Sequence, residues 1–141
     1  MPHVSAERHC LPWAHTVDFS QAVVTDAELV FTAGQGPFDA DGALVGSGDP
    51  EAQMRQTFTN LRTVLESVGA SLETVVSQTV YLARADDFAA FKTVRSEFFS
   101  APFPAATTLR VDLLEPGMLI ELTAVAAVGV PRAQRGGEAA S

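Results

Sequence analysis

Phe103-Pro-Ala-Ala-Thr-Thr-Leu-Arg-Val111, a break at Glu115-Pro116-Gly117, and then Leu119-Ile-Glu-Leu-Thr-Ala-Val-Ala-Ala-Val128 decide how this chain is built. Pro102 and Pro104 bring in a turn, and the two longer runs read as strands over residues 107–113 and 119–128. The second run is apolar or small on both faces, with Glu121 and Thr123 as the exceptions. A strand that hides both faces needs cover on both sides. A chain of 141 residues makes one core, so its own helices can cover one face only. The other face calls for a second copy, and the sequence predicts a homo-oligomer.

Upstream, Ala22-Val-Val24 and Leu29-Val-Phe-Thr-Ala33 flank Thr25-Asp26-Ala27-Glu28, which predicts a hairpin. Gly34-Gln-Gly-Pro37 and Asp39-Ala-Asp-Gly42 read as turns. The first of these lacks the Lys-Ser/Thr of a phosphate loop. Asp49-Pro50 opens a helix, because an aspartate caps free amides and a proline fits the first turn. Met54, Phe58, Leu61, Leu65 and Val68 follow at helical spacing, and Gly69 suits the position just past the end. Residues 75–82 predict a strand with Val76, Gln78, Val80 and Leu82 on one face. A second helix starts at Asp86 or Asp87, with Phe88, Phe91, Val94 and Phe98 as its buried stripe. The order β-β-α-β-α-β-β predicts an α+β fold, a sheet with two helices on one face. Residues 19–130 form the expected domain, with an irregular N-terminal arm over 1–18 and a fraying tail over 131–141.

A net charge of −8 opposes nucleic-acid binding, which needs clustered Lys and Arg, and the nine basic residues here are scattered. No apolar run reaches the ~20 residues of a membrane span, and the N-terminus lacks a signal-peptide core. The single cysteine, Cys10, has no internal disulfide partner. These features predict a cytoplasmic protein with no membrane or nucleic-acid partner. His3, His9 and His15 all lie in the arm, a poor basis for a metal site, so neither metal nor cofactor is expected. Trp13 is expected to pack the arm against the body or to cap a pocket.

Five segments in order resemble the YjgF/RidA family of small trimeric proteins. They are Phe19-Ser-Gln-Ala22, Phe31-Thr-Ala-Gly-Gln35, Gln56 with Asn60-Leu61, Asp87-Phe88, and Phe103-Pro-Ala-Ala106 with Ile120-Glu121-Leu122. The resemblance implies a chorismate-mutase-like fold, a homotrimeric barrel with pockets at the subunit interfaces, and hydrolysis of reactive enamines and imines. It places Glu121 as the water-handling acid and Thr108 as a hydrogen-bonding partner. Phe19, Ala33, Gly34, Ala105, Ala106, Thr107 and Arg110 become the substrate-binding set. The family's motif reads Pro-Ala-Arg, its arginine gripping the substrate carboxylate; here that place holds Ala106, fifteen residues before Glu121, with no gap needed. The family's tyrosine and serine become Phe19 and Ala33.

Imine hydrolysis needs a water delivered to an electrophilic carbon and proton transfer to the leaving nitrogen, work that suits a carboxylate at an interface. A lone strand acid can equally pair with a neighbouring base or with backbone amides. Without the arginine's forked contact, the expected pocket is apolar and its small-molecule substrate lacks a free carboxylate. Arg110 starts about 13 Å from position 106 along the strand, too far to replace the arginine fully. Arg8 or an arginine of another subunit is a further candidate. The alternative reading is a trimeric protein that binds a small molecule or regulates a partner without catalysis.

Overall fold

A computed structural model describes residues 6–9 and 18–128. Cys10, Trp13, His3 and His15, and the expected tail over 131–141, lie outside the described residues. The elements are β1 (Ala6–His9), β2 (Ala22–Thr25), β3 (Leu29–Phe31), α1 (Pro50–Ser67), β4 (Val75–Leu82), α2 (Phe88–Phe98), β5 (Ala105–Arg110) and β6 (Ile120–Ala127). Together they make the α+β fold that the element pattern predicts.

Helix α1 begins where its sequence says it must. Asp49 is extended, and its carboxylate accepts the Ala52 amide at 3.1 Å. Beyond the last turn Gly69 takes φ +83°, a conformation costly for residues with a Cβ. Met54, Phe58, Leu61 and Leu65 are fully buried, whereas Val68 lies outside the helix and is half exposed. A one-turn 3-10 segment, Ala85–Asp87, leads into α2. Phe91 and Val94 of α2 are buried, but Phe88, expected in that stripe, is 43% exposed. Phe58 stacks between the two helices, with ring centroids 5.8 Å from Phe91 and 5.1 Å from Phe98. Each such fully buried aromatic contributes about 1.5–3 kcal/mol.

The main sheet runs β3-β6-β4-β5. β6 is central and antiparallel to both neighbours, and β5 is parallel to β4. A parallel neighbour requires a crossover, which α2 supplies. Alternation then sorts the residues. Ile120, Leu122, Ala124 and Ala126 of β6 and Val80 and Leu82 of β4 join the helices in one core. Glu121, Thr123 and Val125 of β6 and Ser77, Thr79 and Tyr81 of β4 take the other face and are only half-buried.

Two expectations need correcting. The runs at 22–25 and 29–31 do not pair with each other: β2 pairs antiparallel with β1, and β3 pairs with β6. The segment between them changes sheets instead of closing a hairpin, because β6 offers β3 an apolar edge. The arm expected to be irregular contains β1, whose Arg8 Nε donates to the Phe103 carbonyl at 3.1 Å. Ser20 forms a bridge beside Ala105, and its amide donates to the Pro104 carbonyl at 2.9 Å. Those bonds fix the stretch before β2 against the start of β5.

Candidate functional site

The register of β5 divides the expected site residues between two faces. Across one row lie Ala124, Gln78 and Ala106, and across the next lie Leu122, Val80 and Thr108. Ala106 and Thr108 therefore point to the helix side. The intervening rows place Thr123, Thr79 and Thr107 together, then Glu121, Tyr81 and Leu109, on the opposite face. Ala105 shares that face through its pairing with Ser77.

On the helix side, a cavity of about 730 Å³ opens between α2 and β5. Ala106 and Thr108 form one wall, and Phe88, Lys92 and Arg95 of α2 form the other. Asp18 and Phe19 enter from the segment pinned by Ser20. Arg95 is 5% exposed, its Nη2 lies 2.6 Å from the Asp18 carboxylate, and its guanidinium sits 5.0 Å from the centroid of Phe91. Its Nε is buried without a hydrogen-bond partner among the described residues. Lys92 lies over the Phe88 ring at 5.6 Å. With Lys92 and Arg95 positive and Asp18 negative, these lining side chains sum to +1. The apolar pocket expected from the losses at positions 19, 33 and 106 does not describe this cavity, because α2 carries cations into the space that Ala106 leaves open.

A smaller cavity of about 220 Å³ shares Phe88 and Thr108 with the first and extends toward Leu82, Ala85, Leu109 and Arg110. Arg110 thus stands at the far end of the cleft from Ala106. Arg8 lines a separate hollow, with Phe98 and Pro102, and does not reach this cavity.

On the opposite face, Glu121 lies against Gly34. A Cβ built on Gly34 would stand 3.0 Å from both Cδ and Oε1 of that carboxylate. Glu121 is half-buried and makes no ion pair with a described residue. Ala33, beside Gly34, is exposed. The structure thus joins Phe19, Ala106 and Thr108, and separately joins Gly34 and Glu121. Within one protomer it does not bring the two groups together.

Asp18, Lys92 and Arg95 were not among the residues picked out from sequence. One signal could have found Arg95: it follows Phe91 by four residues, on the buried stripe of α2. Among the described residues, no group of three or more His, Cys, Asp or Glu side chains could hold a metal. Among them, too, no helix is long and apolar enough to cross a membrane.

The sequence and the fold match known proteins. The family model described as Endoribonuclease L-PSP matches residues 12–128. A RutC family protein of Pyrococcus abyssi is 38% identical over 108 residues, 77% of this chain and 84% of that protein. A 2-iminobutanoate/2-iminopropanoate deaminase of Capra hircus is 34% identical over 111 residues, 79% of this chain and 80% of that protein. The crystal structure of a Rid family protein of Yersinia pestis superimposes with a TM-score of 0.75 at 30% identity, covering 85% of this chain and 97% of that one. The chain belongs to the YjgF/RidA family.

Proposed function

We propose that this protein is a RidA-type hydrolase of imines or enamines, working as a homotrimer at sites completed between subunits. The observation that carries the reading is the division of its residues: Glu121 lies on one face of the sheet, Thr108 and Ala106 on the other. A site that uses both must borrow one of them from a neighbouring copy. The sheet face carrying Glu121 also presents uncovered apolar side chains, Phe31 at 74% and Leu109 at 45% exposure. Packing that face against a copy removes this surface from water. The 34% identity to a deaminase supports the reaction class. The net charge of −8 speaks against a nuclease, whose substrate it repels.

In this reading Glu121 orients a water toward the imine carbon and takes its proton as the C–O bond forms. That proton passes to the nitrogen to give a carbinolamine. Its hydroxyl then yields its own proton to the nitrogen as the C–N bond breaks and the C=O forms, and ammonia and a carbonyl product leave. Thr108 and the backbone at Ala105 and Ala106 hold the substrate from the other subunit. Phe19 closes one side of the cavity beside Ala106. Lys92 and Arg95 line the same space, Arg95 paired with Asp18, so charged and neutral imines are both set against it in the test below. Ala106 itself favours the second reading, a trimer that binds a small molecule without turning it over.

Ammonia release from freshly generated 2-iminopropionate and from a panel of neutral imines tests this. Glu121→Gln should lower the rate by about 10²–10⁴-fold while fold and assembly persist. An unchanged rate would transfer the catalytic role away from Glu121. No release from any substrate by the wild type would leave the binding reading.

A further inference from the structure

We infer that the ion pair between Asp18 and Arg95 is a latch that holds Phe19 in place as a wall of the cleft, which makes both charged groups positioning residues. Residues 18–20 are tied at their two ends to opposite sides of that cleft. At one end the Asp18 carboxylate lies 2.6 Å from Nη2 of Arg95, on α2. At the other, the Ser20 amide donates to the Pro104 carbonyl at 2.9 Å and its hydroxyl donates to the Phe103 carbonyl, at the entry to β5. Phe19 stands between these ties and lines the cavity with Ala106 and Phe88. Loss of either tie frees one end of the segment and with it the ring.

Stability alone does not account for a charge at position 95. Arg95 shares the buried stripe of α2 with Phe91 and Val94 and is itself 5% exposed. An apolar side chain of similar length would fill that place without a charge to desolvate, and buried ion pairs commonly stabilise no more than such a replacement. The arrangement even leaves a donor unmet, because Arg95 Nε is buried with no partner among the described residues. What the charge adds is position. The guanidinium is anchored 5.0 Å from the Phe91 centroid, and Asp18 meets it there from a segment outside the helix. Asp18 is half-buried, and swinging the segment away would strand a buried cation. The consequence for substrate binding rests on the reading of this cleft as the substrate site; the latch itself does not.

Amide hydrogen exchange on the full chain tests the latch, because Ser20 carries its own reporter in the bond to Pro104. The Leu122 amide, bonded to the Gln35 carbonyl at 3.0 Å in the centre of the sheet, is the reference. In Asp18→Asn and in Arg95→Met, exchange at Ser20 should quicken at least about tenfold relative to Leu122. The double variant Asp18→Asn/Arg95→Met leaves no buried charge unpaired, so its melting temperature should return toward that of the wild type while Ser20 still exchanges fast. A latch is recognised by that separation. Exchange at Ser20 that keeps pace with Leu122 in all three variants overturns the proposal and assigns Arg95 to the core alone. With any imine that the wild type hydrolyses, Asp18→Asn should raise KM about tenfold and leave kcat within about twofold, since Phe19 is placed to hold the substrate and not to react with it. A fall in kcat at constant KM would overturn the positioning role. Absence of turnover in the wild type retires the catalytic reading, and the exchange rates still decide the latch.

Discussion

Gly34 is the residue that decides how much room Glu121 has. Its φ is not in the left-handed region, so the backbone tolerates a side chain there; the obstacle is the carboxylate 3.0 Å from the missing Cβ. Gly34→Ala must displace the flexible end of Glu121 and with it any water the acid holds. We expect turnover to fall about tenfold, since sub-ångström misplacement of a reacting group is costly. Stability should hold or rise by up to ~1 kcal/mol, because alanine restricts the unfolded chain. Steady-state rates beside urea midpoints check the pair of effects; parallel loss of both would mean that the glycine serves the fold alone. Glu121 was legible from sequence because one acid in an apolar strand stands out. Arg95 was not, because a charged residue four places after Phe91 reads as solvated until the partner, Asp18, is known to arrive from 77 residues away. Sequence shows which residues share a helix face, and it is silent on which distant carboxylate makes burial affordable.

At the scale of elements, α1 does more than cover the sheet. Gln53 is fully buried, and its amide donates to the carbonyls of Gly46 at 3.2 Å and Gly117 at 2.9 Å. Its oxygen accepts the Leu119 amide at 2.8 Å. One side chain thus fastens the turn before α1 to the turn that launches β6. Gln53→Leu keeps the volume but takes the partner from three backbone groups, those of half-buried Gly46 and Leu119 and of exposed Gly117, and we expect a loss of about 1–3 kcal/mol by urea denaturation. A loss under ~0.5 kcal/mol would mean that water replaces those bonds. The two helices are joined at the surface by Arg55, whose Nε and Nη2 meet the Glu97 carboxylate at 2.9 and 3.0 Å. That hydrogen bond holds Glu97 below its ordinary carboxylate range. A depressed acid stabilises the fold above its unfolded-state pKa and loses the effect as pH falls through the folded one. Glu97→Gln should therefore lower the melting temperature slightly at neutral pH, less in high salt, and not at all in strong acid. A gap that persists in acid would assign the effect to packing. Helices α1 and α2 were legible because caps and a 3.6-residue period are local. The pairing of β2 and β3 was not, since a short turn between two β-branched runs looks the same whether the strands pair or part.

For the whole molecule, the apolar pattern of β6 predicted a covered second face, and the described residues leave that face open around Phe31, Leu29 and Leu109. The trimer proposed to cover it makes a quantitative claim about where each active site gets its parts. If Glu121 comes from one copy and the Thr108 cleft from the next, two damaged proteins can repair each other. Glu121→Gln removes the acid and keeps the cleft; Thr108→Phe fills the cleft and keeps the acid. Each alone should be nearly inactive. Co-refolded in equal amounts, random trimers would present an intact acid beside an intact cleft at about a quarter of their interfaces, because both neighbours must be the right type. Ammonia release should then recover to about a quarter of the wild-type rate per site. Mixing the two proteins without unfolding should recover less, by as much as subunits fail to exchange. A site contained in one protomer gives no recovery under either treatment, and in that case the opposite placement of Glu121 and Thr108 about the sheet would exclude them from acting on the same substrate.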